Sequence, residues 1–173
     1  MTLPARQETP ALLQVDAILT RLSGAEALSE VCRFLRHEVR HYRWVGVYRK
    51  AGPILRLAGW NGERPTEHTE IPVGSGICGL AARENRSIVV DDVRERPEYL
   101  ACFLETRAEI VIPIRSGDAV LGEIDIDGNE VKAFDASDAR FLERVAERLA
   151  PTLLALSEGA GAIADGPSSG GPR

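Results

Sequence analysis

Gly122-Glu123-Ile124-Asp125-Ile126-Asp127 alternates apolar and acidic side chains with a period of two. Successive side chains of a strand point to opposite faces, so the two isoleucines go one way and the three acids the other. Upstream, Glu109-Ile110-Val111-Ile112-Pro113 is β-branched and apolar enough for a strand buried within a sheet, and Ser116-Gly117-Asp118 supplies the turn between the two. The pair predicts antiparallel strands over 109–114 and 119–127, one face apolar and the other acidic.

Working outward, the same period of two appears at Trp44-Val45-Gly46-Val47-Tyr48, where Trp44, Gly46 and Tyr48 share a face opposite Val45 and Val47. Ala51-Gly52-Pro53 is turn chemistry, and 54–60 reads as the returning strand of a hairpin. Short strands are expected over 69–73 and 87–90, with a two-turn helix over 78–84 between them and an irregular stretch over 94–104. At the chain ends the period changes. Thr9-Pro10 resembles a helix cap followed by proline at the first helical position, with Leu12, Val15, Leu19 and Leu22 behind it. Leu28, Val31, Cys32, Leu35 and Val39 form a second helical stripe, and Phe141, Val145, Leu149, Leu153 and Leu156 a third. Asp135 and Asp138 stand in capping-box places before the last helix, and Pro151 should kink it. The expectation is an α+β domain over 9–157: an antiparallel sheet, helices on one face and a ligand pocket on the other. Residues 1–8 carry no periodic signal and 158–173 are rich in Gly, Ala, Ser and Pro, so both are expected to be flexible.

Composition narrows the class. A net charge of −5 with no block of Lys and Arg gives no reason to expect nucleic acid. No stretch approaches the roughly 18 apolar residues of a membrane span. The start lacks a basic region followed by an apolar core, and three cysteines do not suit a disulfide framework, so a reduced, cytoplasmic setting is expected.

Three constellations carry chemistry. A solvated sheet face would explain Glu109, Asp125 and Asp127, but no lysine or arginine alternates with them. Like charges crowded in a cleft need an ammonium-bearing ligand, a divalent ion or a shared proton. Gly74-Ser75-Gly76-Ile77-Cys78-Gly79 matches a dinucleotide fingerprint formally, with Asp91 about where a ribose-binding acid falls. The plainer reading is a glycine-shaped turn that lets backbone approach closely, since the preceding strand holds Glu70 and Pro72. Cys78 and Cys102 sit off any apolar stripe and are either inert or redox-active or metal-binding. With His68 they would make a zinc set lacking the usual ligand spacing, and no metal or bound cofactor is expected. Cys32, on a helical stripe, reads as a core filler.

Taken together, Trp44-Val45-Gly46-Val47-Tyr48, Gly74-Ser75-Gly76-Ile77-Cys78-Gly79-Leu80-Ala81-Ala82, Val90-Asp91-Asp92-Val93 with Pro97, Ala101-Cys102 and the two sheet motifs resemble a GAF domain over about residues 25–156. Within that family the chain looks most like the free methionine-(R)-sulfoxide reductases. The resemblance implies Cys102 as nucleophile, Cys78 as a possible resolving cysteine, and Glu109, Asp125, Asp127, Trp44 and Tyr48 as substrate-binding residues. It also implies thioredoxin or another dithiol as reductant, and a homodimer. Three positions depart from the reductase pattern: His68 stands where a further cysteine usually resolves, Phe103 replaces an acid and Ala108 a serine. Those departures keep open a second reading, a non-catalytic GAF module that binds a small molecule or senses redox state.

Overall fold

The computed structural model describes residues 5–101 and 103–161. Six strands form one antiparallel sheet: β1 (Trp44–Ala51), β2 (Ile54–Asn61), β3 (Glu70–Pro72), β4 (Ile88–Val90), β5 (Ala108–Ser116) and β6 (Ala119–Gly128), in the order β3-β2-β1-β6-β5-β4. The first and last thirds of the chain therefore meet in the middle, where β1 pairs with β6. Helices α1 (Ala5–Arg21), α2 (Gly24–Glu38) and α4 (Ala136–Gly161) cover one face. Helix α3 (Gly76–Glu84) lies with the connecting loops on the other.

Alternation along each strand sorts side chains between two cores. Val45, Val47, Ile110, Ile112, Ile114, Ile124 and Ile126 are buried against the helical stripes of α1, α2 and α4. Cys32 is a fully buried member of that layer, its thiol turned to the Gly59 carbonyl at 3.8 Å. The smaller core gathers Trp44, Tyr48, Ile77, Cys78, Ile88, Val90 and Val111 beneath α3. At Gly59 the β2 backbone presses onto α2 so closely that a Cβ would lie 2.7 Å from the backbone nitrogen of Ser29.

Two helix ends differ from the sequence expectation. Helix α1 begins at Ala5, so Pro10 lies inside it instead of at its first position. Burial of Leu12, Val15 and Ile18 against the core offsets the one N–H that proline removes. Helix α4 runs through Pro151 to Gly161, beyond Ser157 where the apolar stripe ends. The last twelve residues lie outside the described ones. At its start the capping box forms as expected: Asp135 Oδ1 accepts from the Ser137 and Asp138 amides, and Asp138 Oδ2 accepts from the Asp135 amide at 3.0 Å. No helix among the described residues is long and apolar enough to cross a membrane.

The glycine turn is not a dinucleotide site. Its flanking strands β3 and β4 lie at opposite edges of the sheet, whereas that fold needs neighbouring parallel strands around the turn. Gly74 and Gly76 adopt φ of 95° and 66°, and the chain turns so sharply that a Cβ on Gly79 would lie 2.5 Å from the Pro72 carbonyl oxygen. The turn serves to deliver Cys78 to the sheet.

Candidate functional site

Sheet register sets the site. On the α3 face Trp44 pairs with Asp127, which pairs with Glu109, which pairs with Val90. Two residues along, Gly46, Asp125, Val111 and Ile88 make a second row, and Tyr48, Glu123 and Pro113 a third. Four carboxyl groups from two adjacent strands thus share one patch. All four are buried, Glu123 completely and Glu109 at 5% exposure.

This is no solvated acidic face. Apart from a contact of Glu123 with the Cys78 thiol, Glu109 Oε2, both oxygens of Glu123, Asp125 Oδ1 and Asp127 Oδ2 have no hydrogen-bond partner among the described residues. None of the four forms an ion pair there; the nearby Arg107 is committed to Asp92 at 3.0 Å. Burial, first of all, and mutual repulsion push the carboxyls of Glu109 and Asp127 well above the usual carboxylate range. Burial likewise raises Glu123, against a lowering contact with the Cys78 thiol. Asp125 is raised to about 7 by burial, the Cys78 and Glu109 contacts pulling it back. Such a cluster holds protons at neutral pH or takes up a cation.

The first turn of α3 places Cys78 against the acids, with Sγ 3.8 Å from Glu109 Oε1. Burial and the charges of Asp125, Glu123 and Glu109 push its thiol well up. At the other end of the patch the Trp44 indole lies stacked on Trp60, with ring centroids 6.3 Å apart. It crosses two glycines: a Cβ on Gly46 or Gly62 would fall 2.3 Å or 2.1 Å from the ring. Tyr48 is fully buried on the same face and its hydroxyl donates to the His68 carbonyl at 2.8 Å, so it anchors the overlying loop.

Two loops roof the patch. Loop 62–69 carries Arg64 and His68; loop 96–106 carries Ala101, Phe103 and Glu105. Arg64 pairs with Glu105 and sets its guanidinium 5.3 Å from the Phe103 ring centroid. Phe103 in turn tilts against Trp44 at 6.1 Å, and His68 Nε2 meets the Ala101 carbonyl at 3.2 Å. Cys102 lies outside the described residues. A cavity of about 360 Å³ opens between the loops, walled by Arg43, Trp44, Arg64, Phe103, Thr106 and Asp127. An inner cavity of about 10 Å³ lies against Cys78, Glu109 and Asp125.

A model of the GAF domain matches residues 24–153. The chain belongs to the GAF domain family. It is 30% identical over 140 residues to GAF domain-containing protein A of Dictyostelium discoideum, spanning 80% of this chain and 87% of that one. It is 45% identical over 78 residues to the free methionine-R-sulfoxide reductase of Saccharomyces cerevisiae, a match spanning 44% of this chain and 43% of the yeast protein. Among solved structures, the type II free methionine-R-sulfoxide reductase of Thermoplasma acidophilum superposes with a TM-score of 0.71 at 34% identity, covering 80% of this chain and 94% of the other. The Neisseria meningitidis free methionine-R-sulfoxide reductase, solved with its substrate, superposes at 0.81 with 28% identity over 92% and 95% of the two chains. The GAF sheet with helices on one face, read from the sequence, is the observed fold.

The structure thus brings together Trp44, Cys78, Glu109, Asp125 and Asp127, with Tyr48 behind them. It adds Glu123, whose place on the acidic face the alternation already gave but whose complete burial it did not. It adds Thr106 as well, which lies against Asp127 and lowers its carboxyl through a hydrogen bond. No periodic pattern marks a loop threonine.

Proposed function

We propose that this GAF domain reduces free L-methionine-(R)-sulfoxide to L-methionine. The observation that carries the reading is the buried cluster of Glu109, Asp125 and Asp127, with orphaned oxygens and no basic partner among the described residues, below an indole that faces the larger cavity. A free amino acid has the matching parts. Its ammonium group satisfies the carboxylates, and its thioether carbons pack on Trp44. The relatives named as free methionine-R-sulfoxide reductases support the same substrate.

In this reading Cys102 attacks the sulfoxide sulfur while a carboxyl of the cluster protonates the sulfoxide oxygen. The oxygen then passes to the Cys102 sulfur and the methionine sulfur leaves as a thioether. Methionine sulfur gains two electrons and Cys102 loses two, becoming a sulfenic acid. Cys78 condenses with it, forming a disulfide and releasing water, and thioredoxin or another dithiol reduces that bond. Substrate binding also prepares Cys78, since an ammonium among the acids offsets the charges that raise its thiol. Pairing of two copies through α1 and α4 belongs to the same reading.

Turnover of the sulfoxide with thioredoxin or dithiothreitol tests it, with Cys102→Ser and Cys78→Ser alongside. Activity lost in Cys102→Ser under both reductants, and in Cys78→Ser with thioredoxin alone, is expected. Folded wild-type protein inert under both would leave a binding or sensing module as the function.

A further inference from the structure

The inner end of the acidic patch has a composition that amino-acid binding does not require. Cys78 from α3, Glu109 from the start of β5 and Asp125 from β6 each offer a ligand atom, and these atoms all lie within 4.8 Å of one another. They face a cavity of about 10 Å³, the size of one water or one ion, bounded also by Ile77, His68 and Leu100. Around a tetrahedral zinc, with Zn–S near 2.3 Å and Zn–O near 2.0 Å, sulfur and oxygen ligands stand roughly 3.5 Å apart. The 3.8 Å between Cys78 Sγ and Glu109 Oε1 is within a small adjustment of that spacing.

A second observation lies beside this trio. Glu123 is wholly buried, two residues along the same face of β6 from Asp125 and in contact with the Cys78 thiol. Apart from that thiol contact, neither of its oxygens has a hydrogen-bond partner among the described residues. It stands in the row with Tyr48 and Pro113, away from the Trp44–Asp127 end where the larger cavity opens. An uncompensated carboxyl at that depth is costly, and a cation next to Cys78 would remove the cost.

We propose that Cys78, Glu109 and Asp125, backed by Glu123, bind a borderline divalent cation, Zn²⁺ foremost, and that its binding closes the ammonium subsite. The donor set selects the metal class. One thiolate and two carboxylates suit Zn²⁺ or Co²⁺, whereas Mg²⁺ and Ca²⁺ favour oxygen-only shells of six or more ligands. Binding displaces the thiol proton and takes Cys78 out of reach of an oxidised partner. Inhibition by the ion rests on the reductase reading; binding of the ion does not.

Cobalt makes both halves visible. Full-length protein, reduced with a phosphine and treated with Co²⁺, is expected to show a near-ultraviolet thiolate-to-cobalt absorption at one equivalent, abolished by Zn²⁺. The band disappears in Cys78→Ser and survives in Cys102→Ser. Glu109→Gln and Asp125→Asn, which leave the thiol in place, each weaken Co²⁺ binding by at least the roughly 10–100-fold typical of lost outer-shell partners. Methionine sulfoxide, added in excess, competes with the metal. No band from folded wild type, or a band that persists in Cys78→Ser, overturns the site. A band with no competition from sulfoxide overturns the overlap with the ammonium subsite. Turnover of metal-free enzyme is read separately, so its absence counts against the reductase and not against the ion.

Discussion

Cys78 Sγ and Glu109 Oε1 lie 3.8 Å apart at the meeting of α3 and β5, a thiol and a carboxyl sharing one buried, acidic cavity. Burial raises the thiol first, and the charges of Asp125, Glu123 and Glu109 raise it further. A thiol in that setting is a poor nucleophile until the acids are neutralised. Glu109→Gln, which removes an acid that raises the thiol, should therefore speed alkylation of Cys78 by iodoacetamide at pH 8, by about three- to fourfold for each unit its thiol falls, the gain in thiolate being partly offset by its lower nucleophilicity. Mass-spectrometric mapping of the alkylated cysteine gives the rate. A rate equal to wild type would show that desolvation alone controls the thiol.

Two glycines test the division between fold and site. At Gly59 a Cβ would meet backbone of α2 at 2.7 Å, which cannot move without shifting the helix. Gly59→Ala should cost about 1–3 kcal/mol in urea unfolding. At Gly46 the obstacle is the Trp44 ring, a side chain, at 2.3 Å. Gly46→Ala should displace the indole, change tryptophan fluorescence and impair sulfoxide binding more than stability. Equal losses of stability in the two variants would contradict the distinction.

Glu123 is the clearest case of stability given up on the site face. Its carboxyl is completely buried, and apart from the Cys78 thiol neither oxygen has a hydrogen-bond partner among the described residues. Glu123→Leu, close in volume and apolar, should gain about 1–3 kcal/mol at neutral pH, the desolvation penalty of an unsatisfied polar group. Urea denaturation midpoints at equal m-value measure it. A destabilised variant would mean that the acid contributes more to the fold than its desolvation costs.

Much of this was legible in the chain because alternation is a local signal. Glu123, Asp125 and Asp127 had to share a face once 119–127 was a strand, and Ile124 and Ile126 had to face the helices. Three-dimensional consequences were less accessible. Whether an acid is solvated or buried depends on what covers it, and the cover here is assembled from Arg64, His68, Ala101 and Phe103, loop residues with no period. The start of α1 differs from its sequence signal for another reason. Thr9-Pro10 has the chemistry of a helix start, but packing of Leu12, Val15 and Ile18 carries the helix back to Ala5 through the proline.

Asp138, a buried acid outside the patch, behaves in the opposite sense. Burial alone would raise Asp138, but the His41 ring at 3.0 Å, the Asp135 amide and the Tyr42 hydroxyl at 2.9 Å outweigh it. Its carboxyl is held below the usual carboxylate range. An acid depressed in the folded state contributes stability that is complete above its unfolded pKa and is lost as pH falls through its folded pKa. Stability should thus decline from about pH 4 downward, where an ordinary aspartate titrates. Asp138→Asn, which keeps the shape and can still accept from Tyr42, should start lower at pH 7 and show a shallower decline below pH 4. Urea midpoints across that range decide the matter. Parallel acid limbs in the two proteins would assign the acid sensitivity to other carboxylates and leave Asp138 as a cap for α4 alone.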